Sequence, residues 1–267
     1  MRLLRFLPPL GYDSIGNHAP DGEPLWGLVE GEWVVCLDSP PFDGLPVPGK
    51  ARYPLREVRI AAPVQPGKIV AVGMNYEGHI REMGHDIPSE PLIFLKAPSA
   101  VIGPEDRILL PPESNRVDFE GELAVVIGRR CRRVHRAAAD QYILGYTILN
   151  DVTARDLQRK DVQFSRGKSF DTFCPMGPWI ETELDPGDVR ITTVVNSEVR
   201  QDDQTSTMLF NPAILVEFIT SVMTLMPGDV IATGTPQGVG ALSDGDEVSV
   251  AVDGIGVLTN TVIKESM

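Results

Sequence analysis

The chain has 267 residues, enough to bury a full core without disulfides or a structural metal. Hydrophobic residues make up 42% and charged residues 23%, which excludes a disordered or fibrous chain. Lys and Arg number 24 against 37 Asp and Glu, and the net charge of −13 with no long basic run argues against a nucleic-acid or membrane-surface partner.

The chain opens on MRLLRFLPPLG, where an arginine and two prolines interrupt the apolar stretch a signal peptide needs. No apolar run is long enough to cross a bilayer. Cys36, Cys131 and Cys174 are odd in number and form no CxxC pair, so a cytoplasmic protein without a zinc–thiolate site is expected. Residues 1–60, including LWGLVEGEWVVCL, read as a small N-terminal β domain. AAPVQPGK (61–68) marks the boundary, and residues 67–267 read as the functional domain.

YEGHIREM reads as a short helix with Asn75 as N-cap and Gly84 as its end. It carries few apolar residues and glycines at 78 and 84, so a mobile segment closing over a ligand is expected. Thr153 and Asp156 have capping-box spacing, which predicts a helix around ARDLQRKDV. NPAILVEFITSVMTL predicts a third helix, with Asn211 as N-cap and Pro212 in its first position. Its apolar face is Ile214, Leu215, Phe218, Ile219 and Val222, and Pro227 stops it. Pro186-Gly187-Asp188, Pro227-Gly228-Asp229 and Asp244-Gly245-Asp246 each precede a β-branched run and read as turns entering strands. The whole is mainly β with a few helices, an α+β class.

VDFEGELAVVIG places Glu120 and Glu122 two apart at the head of a strand, on one face. Taken alone, this is an edge strand with a solvated acidic face. TILNDVTARDLQ adds Asp151 at a strand-to-helix junction, where ligand groups commonly sit and where helix caps are also common. If the three carboxylates meet, they form an all-oxygen site suited to Mg²⁺, Mn²⁺ or Ca²⁺. His79 and Glu82, spaced i, i+3, are neighbours on a helical face, as in a carboxylate-oriented general base or an ordinary surface pair. His18, His85 and His135 lie in polar, turn-like stretches and are expected in solvent. Lys168 in SRGKSFD reads as a surface lysine, and Gln158 has no signal of its own. ATGTPQGVG (232–240) lacks the lysine of a phosphate-binding loop, but its backbone N–H groups could cradle a carboxylate.

Six strings in this order resemble the fumarylacetoacetate hydrolase family: VGMNYEGHIREM, PLIFLKAPSAVIGP, VDFEGELAVVIG, GYTILNDVTARDLQ, GKSFDTFCPMGPWI and MPGDVIATGTPQGVG. The resemblance implies a mixed β-sandwich roll with a small N-terminal β domain, assembled as a homodimer. It implies Mg²⁺, or Mn²⁺ or Ca²⁺, on Glu120, Glu122 and Asp151. His79, Glu82 and Lys168 match the family's catalytic positions, and Gln158, Gly234 and Thr235 its substrate contacts. The short separation from Gln158 to Lys168 implies a tighter wall on one side of the pocket. The activity this favours is hydrolysis of a carbon–carbon bond in a small 2-oxo or diketo acid such as an acylpyruvate. Oxaloacetate decarboxylation or tautomerisation and isomerisation of a 2-hydroxy-dienedioate are the alternatives, and a non-catalytic metal-binding module is the minor one.

Overall fold

A computed structural model describes residues 1–9, 23–42, 44 and 46–265. His18 lies outside the described residues. The N-terminal strands are β1 (Arg2–Leu7), β2 (Leu25–Glu30), β3 (Trp33–Leu37), β4 (Pro48–Pro54) and β5 (Arg59–Ala61). They enclose a small core of Leu4, Phe6, Val34 and Cys36. Then come β6 (Ile69–Gly73), helix α1 (Glu77–Met83), β7 (Leu92–Lys96), β8 (Val101–Ile102), β9 (Arg107–Leu110), β10 (Val117–Phe119) and β11 (Gly121–Ile127). β12 (Ile143–Asn150), β13 (Thr153–Ala154), α2 (Arg155–Lys160), α3 (Ser165–Lys168) and β14 (Cys174–Glu181) follow. The chain continues through β15 (Arg190–Val195), β16 (Glu198–Gln204), α4 (Pro212–Val222), β17 (Val230–Ala232), β18 (Gly240–Ala241), β19 (Glu247–Val252) and β20 (Gly256–Lys264).

Among the described residues, strands dominate and form a mixed, mainly β fold of three sheets. The largest has the order β4-β3-β2-β1-β14-β12-β11-β17-β6-β7, with β5 beside β1 and β8 beside β14. The N-terminal strands join it through β1, whose Leu3 pairs with Ile180 of β14. A five-stranded sheet, β16-β15-β19-β20-β9, and a small sheet, β13-β10-β18, pack with it. The central strands are apolar on both faces. In β11, Leu123, Val125 and Ile127 enter one core, while Ala124 and Val126 enter the other. Such near-continuous apolar runs belong to strands covered on both sides.

The three Pro-Gly-Asp or Asp-Gly-Asp turns each precede a strand, β15, β17 and β19. α4 begins as the sequence predicts, with the Asn211 side chain accepting from Ile214 N–H and Pro212 at the first position. Its buried face is Leu215, Val216 and Ile219, whereas Val222 is exposed. The helix ends at Val222, well before Pro227, so the proline is not its stop.

Two capping expectations are corrected. Asn75 does not cap α1. Its amide donates to Phe210 O and Thr233 O and accepts from Phe210 N–H, pinning two remote segments. Thr153 lies in β13 and caps nothing, while Asp156 accepts from Ser114 Oγ and Asn115 N–H. Gly84 does end α1, in the left-handed region at φ 71°. Tyr76 and Ile80, beside and within that helix, are fully buried, so its inner face packs into the protein.

Candidate active site

Strand register explains where the acidic residues gather. β17 runs parallel to β6, β11 runs antiparallel to β17, and β12 antiparallel to β11. The end of β6, the end of β17, the start of β11 and the end of β12 therefore lie at one end of the main sheet. Glu120 sits in the break between β10 and β11, Glu122 is the second residue of β11, and Asp151 follows β12. Asn150 Oδ1 accepts from Glu120 N–H at 2.9 Å, and Asp151 N–H donates to Glu120 O at 2.8 Å. These bonds lock the two segments side by side.

The three carboxylates offer oxygens all within 4.8 Å of one another, and all three residues are buried. A solvated acidic face is thus not what this strand carries. Three buried cations lie against them. Lys168 Nζ donates to Glu120 Oε2 at 2.6 Å and to Asp151 Oδ2 at 2.7 Å. Lys96 Nζ donates to Asp151 Oδ1 at 2.5 Å and also to the carbonyl of Lys168. Arg155 donates to Glu120 Oε1 at 2.5 Å, to Asp118 Oδ2 at 2.9 Å and to Gln158 Oε1 at 2.7 Å.

The electrostatics divide the cluster. Burial works against charge on Glu120, but Lys168 and Arg155 outweigh it and hold that carboxyl below the usual carboxylate range. Burial also opposes charge on Lys168, and Asp151 and Glu120 reverse this and raise its ammonium. Glu122 is pushed well above the usual range by burial and by Asp151 and Glu120. Among the described residues its carboxylate accepts one hydrogen bond, from Gly234 N–H at 2.8 Å. An under-compensated buried carboxylate beside two others, with oxygen donors only, fits a hard divalent cation.

The cavity of about 480 Å³ that reaches this cluster is lined by Glu120, Glu122, Asp151, Lys168, Arg155, Gln158, His79 and Thr235. Leu92, Phe94, Met83 and Phe164 give it an apolar wall, and Arg159 and His85 add cationic or polar groups. His79 is buried on α1, its Nδ1 3.4 Å from Glu82 Oε2. Glu82 also accepts from Gly238 N–H at 3.1 Å. The glycine–threonine loop does cradle carboxylates, and they are the chain's own, Glu122 at Gly234 and Glu82 at Gly238. Gly234 needs its φ of 93°, and a Cβ there would press on Asn75 Cβ at 2.8 Å. Thr235 Oγ1 donates to Gly121 O and accepts from Gln201 Nε2, each at 2.8 Å.

The structure thus brings His79, Glu82, Lys168, Gln158, Thr235 and the three carboxylates to one place. Gly234 acts there through its N–H and does not line the cavity. Lys168 is the buried end of α3, not a surface lysine. His85 and His135 are exposed as expected. Sequence reasoning missed Lys96, Arg155 and Asp118. A lysine ending the apolar run LIFLK was the one available signal, and Arg155 was hidden inside a predicted helix start. Cys174 lies near the cluster, but burial pushes its thiol up to about 12, which leaves it a poor nucleophile.

The family described as "Fumarylacetoacetate (FAA) hydrolase C-terminal" matches residues 68–263. A second, "Rv2993c-like, N-terminal", matches residues 1–63. Protein Rv2993c of Mycobacterium tuberculosis is 52% identical over 268 residues, covering 99% of each chain. The mitochondrial oxaloacetate tautomerase FAHD2A of Bos taurus is 45% identical over 223 residues, 79% of this chain and 71% of that protein. The crystal structure of a 5-carboxymethyl-2-hydroxymuconate delta-isomerase from Mycobacterium smegmatis superposes with a TM-score of 0.90 at 48% identity, covering 99% of this chain and all of that one.

Proposed function

Because the chain belongs to the fumarylacetoacetate hydrolase family of enzymes, we propose that its cavity moves a proton at the carbon beside the keto group of a dicarboxylic 2-oxo acid. The reaction is keto–enol tautomerisation or the related isomerisation of a 2-hydroxy-dienedioate. The observation that carries this reading is the meeting of the His79–Glu82 pair, the carboxylate cluster and Lys168 in one cavity. The names of two similar proteins, an oxaloacetate tautomerase and a hydroxymuconate isomerase, support it over the hydrolysis that the sequence favoured.

Glu120, Glu122 and Asp151 would hold the divalent ion, Mg²⁺ first, with Mn²⁺ or Ca²⁺ as substitutes. When bound, the ion supplies positive charge to the substrate's carboxylate and neighbouring oxygen. His79, its ring oriented by Glu82, carries one proton between the substrate carbon and the 2-oxygen: off the carbon and onto the oxygen as the enol forms, and off the oxygen and onto the carbon as the keto form returns. Lys168 and Arg155 place fixed positive charge beside oxygen atoms that gain negative charge as the enol forms. Gln158, held by Arg155, and Thr235 orient the substrate from the cavity wall. Arg159, a cation in the cavity lining, meets the second carboxylate. Phe94, Leu92 and Phe164 exclude bulk water from the reacting carbon. The setting we propose is a cytoplasmic homodimer, and no helix among the described residues is long and apolar enough to cross a membrane.

Hydrolysis remains the second reading, because a carboxylate-backed imidazole is also what an attacking water requires. A panel of oxaloacetate, acetylpyruvate, fumarylpyruvate and a hydroxymuconate with Mg²⁺, followed by enol absorbance and product NMR, separates these outcomes. Enol loss with no cleavage product is expected from oxaloacetate or the muconate. Acetate plus pyruvate from acetylpyruvate would establish hydrolysis instead. Metal binding with no turnover of any of the four would overturn both and leave a binding module.

A further inference from the structure

We propose that Gln201, on the five-stranded sheet, is a positioning residue that sets the carboxylate cluster and the His79–Glu82 pair relative to one another. This rests on the reading that both groups serve one reaction. Of the residues of β16, Gln201 alone is buried, and the apolar Val199 on the same strand is 61% exposed. Side-chain hydrophobicity would dictate the opposite choice. The strand therefore turns a carboxamide into the interior for what the amide can bond.

All four bonds that a carboxamide can make are made. Gln201 Oε1 accepts from Gly121 N–H at 3.0 Å and from Thr193 Oγ1 at 2.8 Å. Its Nε2 donates to Thr235 Oγ1 at 2.8 Å and to Pro236 O at 2.7 Å. The backbone N–H on one side and the backbone carbonyl on the other fix which way the amide faces. No other orientation satisfies both.

These partners are the two halves of the site. Gly121 lies between Glu120 and Glu122, so the first pair of bonds fixes the backbone from which both carboxylates project. A Cβ on Gly121 would collide with Thr193 Oγ1, so this sheet presses directly on the segment. Thr235 and Pro236 belong to the loop whose Gly234 N–H holds Glu122 and whose Gly238 N–H holds Glu82. Gly238 crosses the backbone carbonyl of Arg200 at φ 95°, closely enough to exclude any Cβ. One buried amide thus ties the Glu120–Glu122 backbone to the loop that carries both Glu122 and Glu82, without touching the cavity itself.

The test compares wild type with Gln201→Met, which keeps the volume and removes all four bonds, and Gln201→Glu, which keeps the two acceptor bonds and loses both donors. Three readouts are taken: the Mn²⁺ dissociation constant, hydrogen exchange of the 233–239 loop, and kcat against KM for oxaloacetate. Gln201→Met should weaken Mn²⁺ roughly tenfold, in the range seen for groups that support metal ligands. It should also speed loop exchange and lower kcat more than it changes KM. Gln201→Glu should speed loop exchange while keeping more of the Mn²⁺ affinity, and it serves alone if the methionine variant does not fold. Mn²⁺ affinity and loop exchange within twofold of wild type, with only the melting temperature lowered, would reduce Gln201 to a packing role and overturn the proposal. The Mn²⁺ and exchange readings hold whether or not oxaloacetate is the substrate, so a wrong substrate shows separately, as an inactive wild type.

Discussion

The two halves of the site are built differently. All three members of the carboxylate cluster are buried: Glu120 is held by Lys168 from α3 and Arg155 from α2, Asp151 by Lys168 and by Lys96 from β7, and Glu122 by Gly234 from the loop after β17. The His79–Glu82 pair sits on one helix of seven residues, with a single 3.4 Å contact between its members and Glu82 partly in solvent. Buried charge-assisted bonds over-determine Glu120 and Asp151, while the 3.4 Å contact between His79 and Glu82 has room to shorten as a substrate arrives.

Replacing Glu120 by Ala should produce the largest effect. It removes one metal donor and strands the buried charges of Lys168 and Arg155, an imbalance that costs about 3–5 kcal/mol. Turnover should fall to background and Mn²⁺ affinity by more than about 100-fold, with calorimetry recording a lower melting temperature. His79→Ala should lower kcat by about 10²–10⁴-fold and leave Mn²⁺ titration unchanged. Adding Glu82→Gln should make it little worse, since the two act as a unit. Additive losses would break the picture of one coupled pair.

Lys96→Met sharpens the contrast from the other side, because Lys96 is buried behind Asp151 and does not line the cavity. Mn²⁺ affinity should fall about 10–100-fold with KM little changed. Equal loss in KM would place Lys96 in contact with substrate instead. Asn211→Ala should have the smallest effect, costing about 1 kcal/mol of stability by denaturant titration with kcat unaltered. It separates loss of fold from loss of site.

The parts of the molecule legible in the sequence are those decided locally. Asn211 and Pro212 open α4 because the cap and the fixed proline φ act within one turn. The turns before β15, β17 and β19 follow from Gly and Pro alone. Glu120 and Glu122 at the head of one strand read alone as a solvated acidic face, and it was the family resemblance that joined them to Asp151, which follows another strand. Asn75 was misread because its offset from α1 suits a cap, while its actual partners are more than a hundred residues away at Phe210 and Thr233. Lys96 and Gln201 share that difficulty. Gln201 looks like an ordinary polar residue on an exposed strand and Lys96 like the polar end of an apolar one, and only the folding of remote segments around each buries its head group. The buried inner face of α1 escaped notice because a neighbour of Tyr76, Met208, is more than a hundred residues away in sequence.

In the proposed reaction His79, backed by Glu82, exchanges a proton with the carbon beside the keto group. Proton NMR of oxaloacetate in D₂O with Mg²⁺ reads that step directly, as loss of the C3 proton signal. The expected result is C3 exchange well above the protein-free rate, roughly 10²-fold or more slower with His79→Ala, and no matching appearance of pyruvate. Exchange equal in wild type and His79→Ala, or pyruvate forming as fast as the C3 signal is lost, would contradict it.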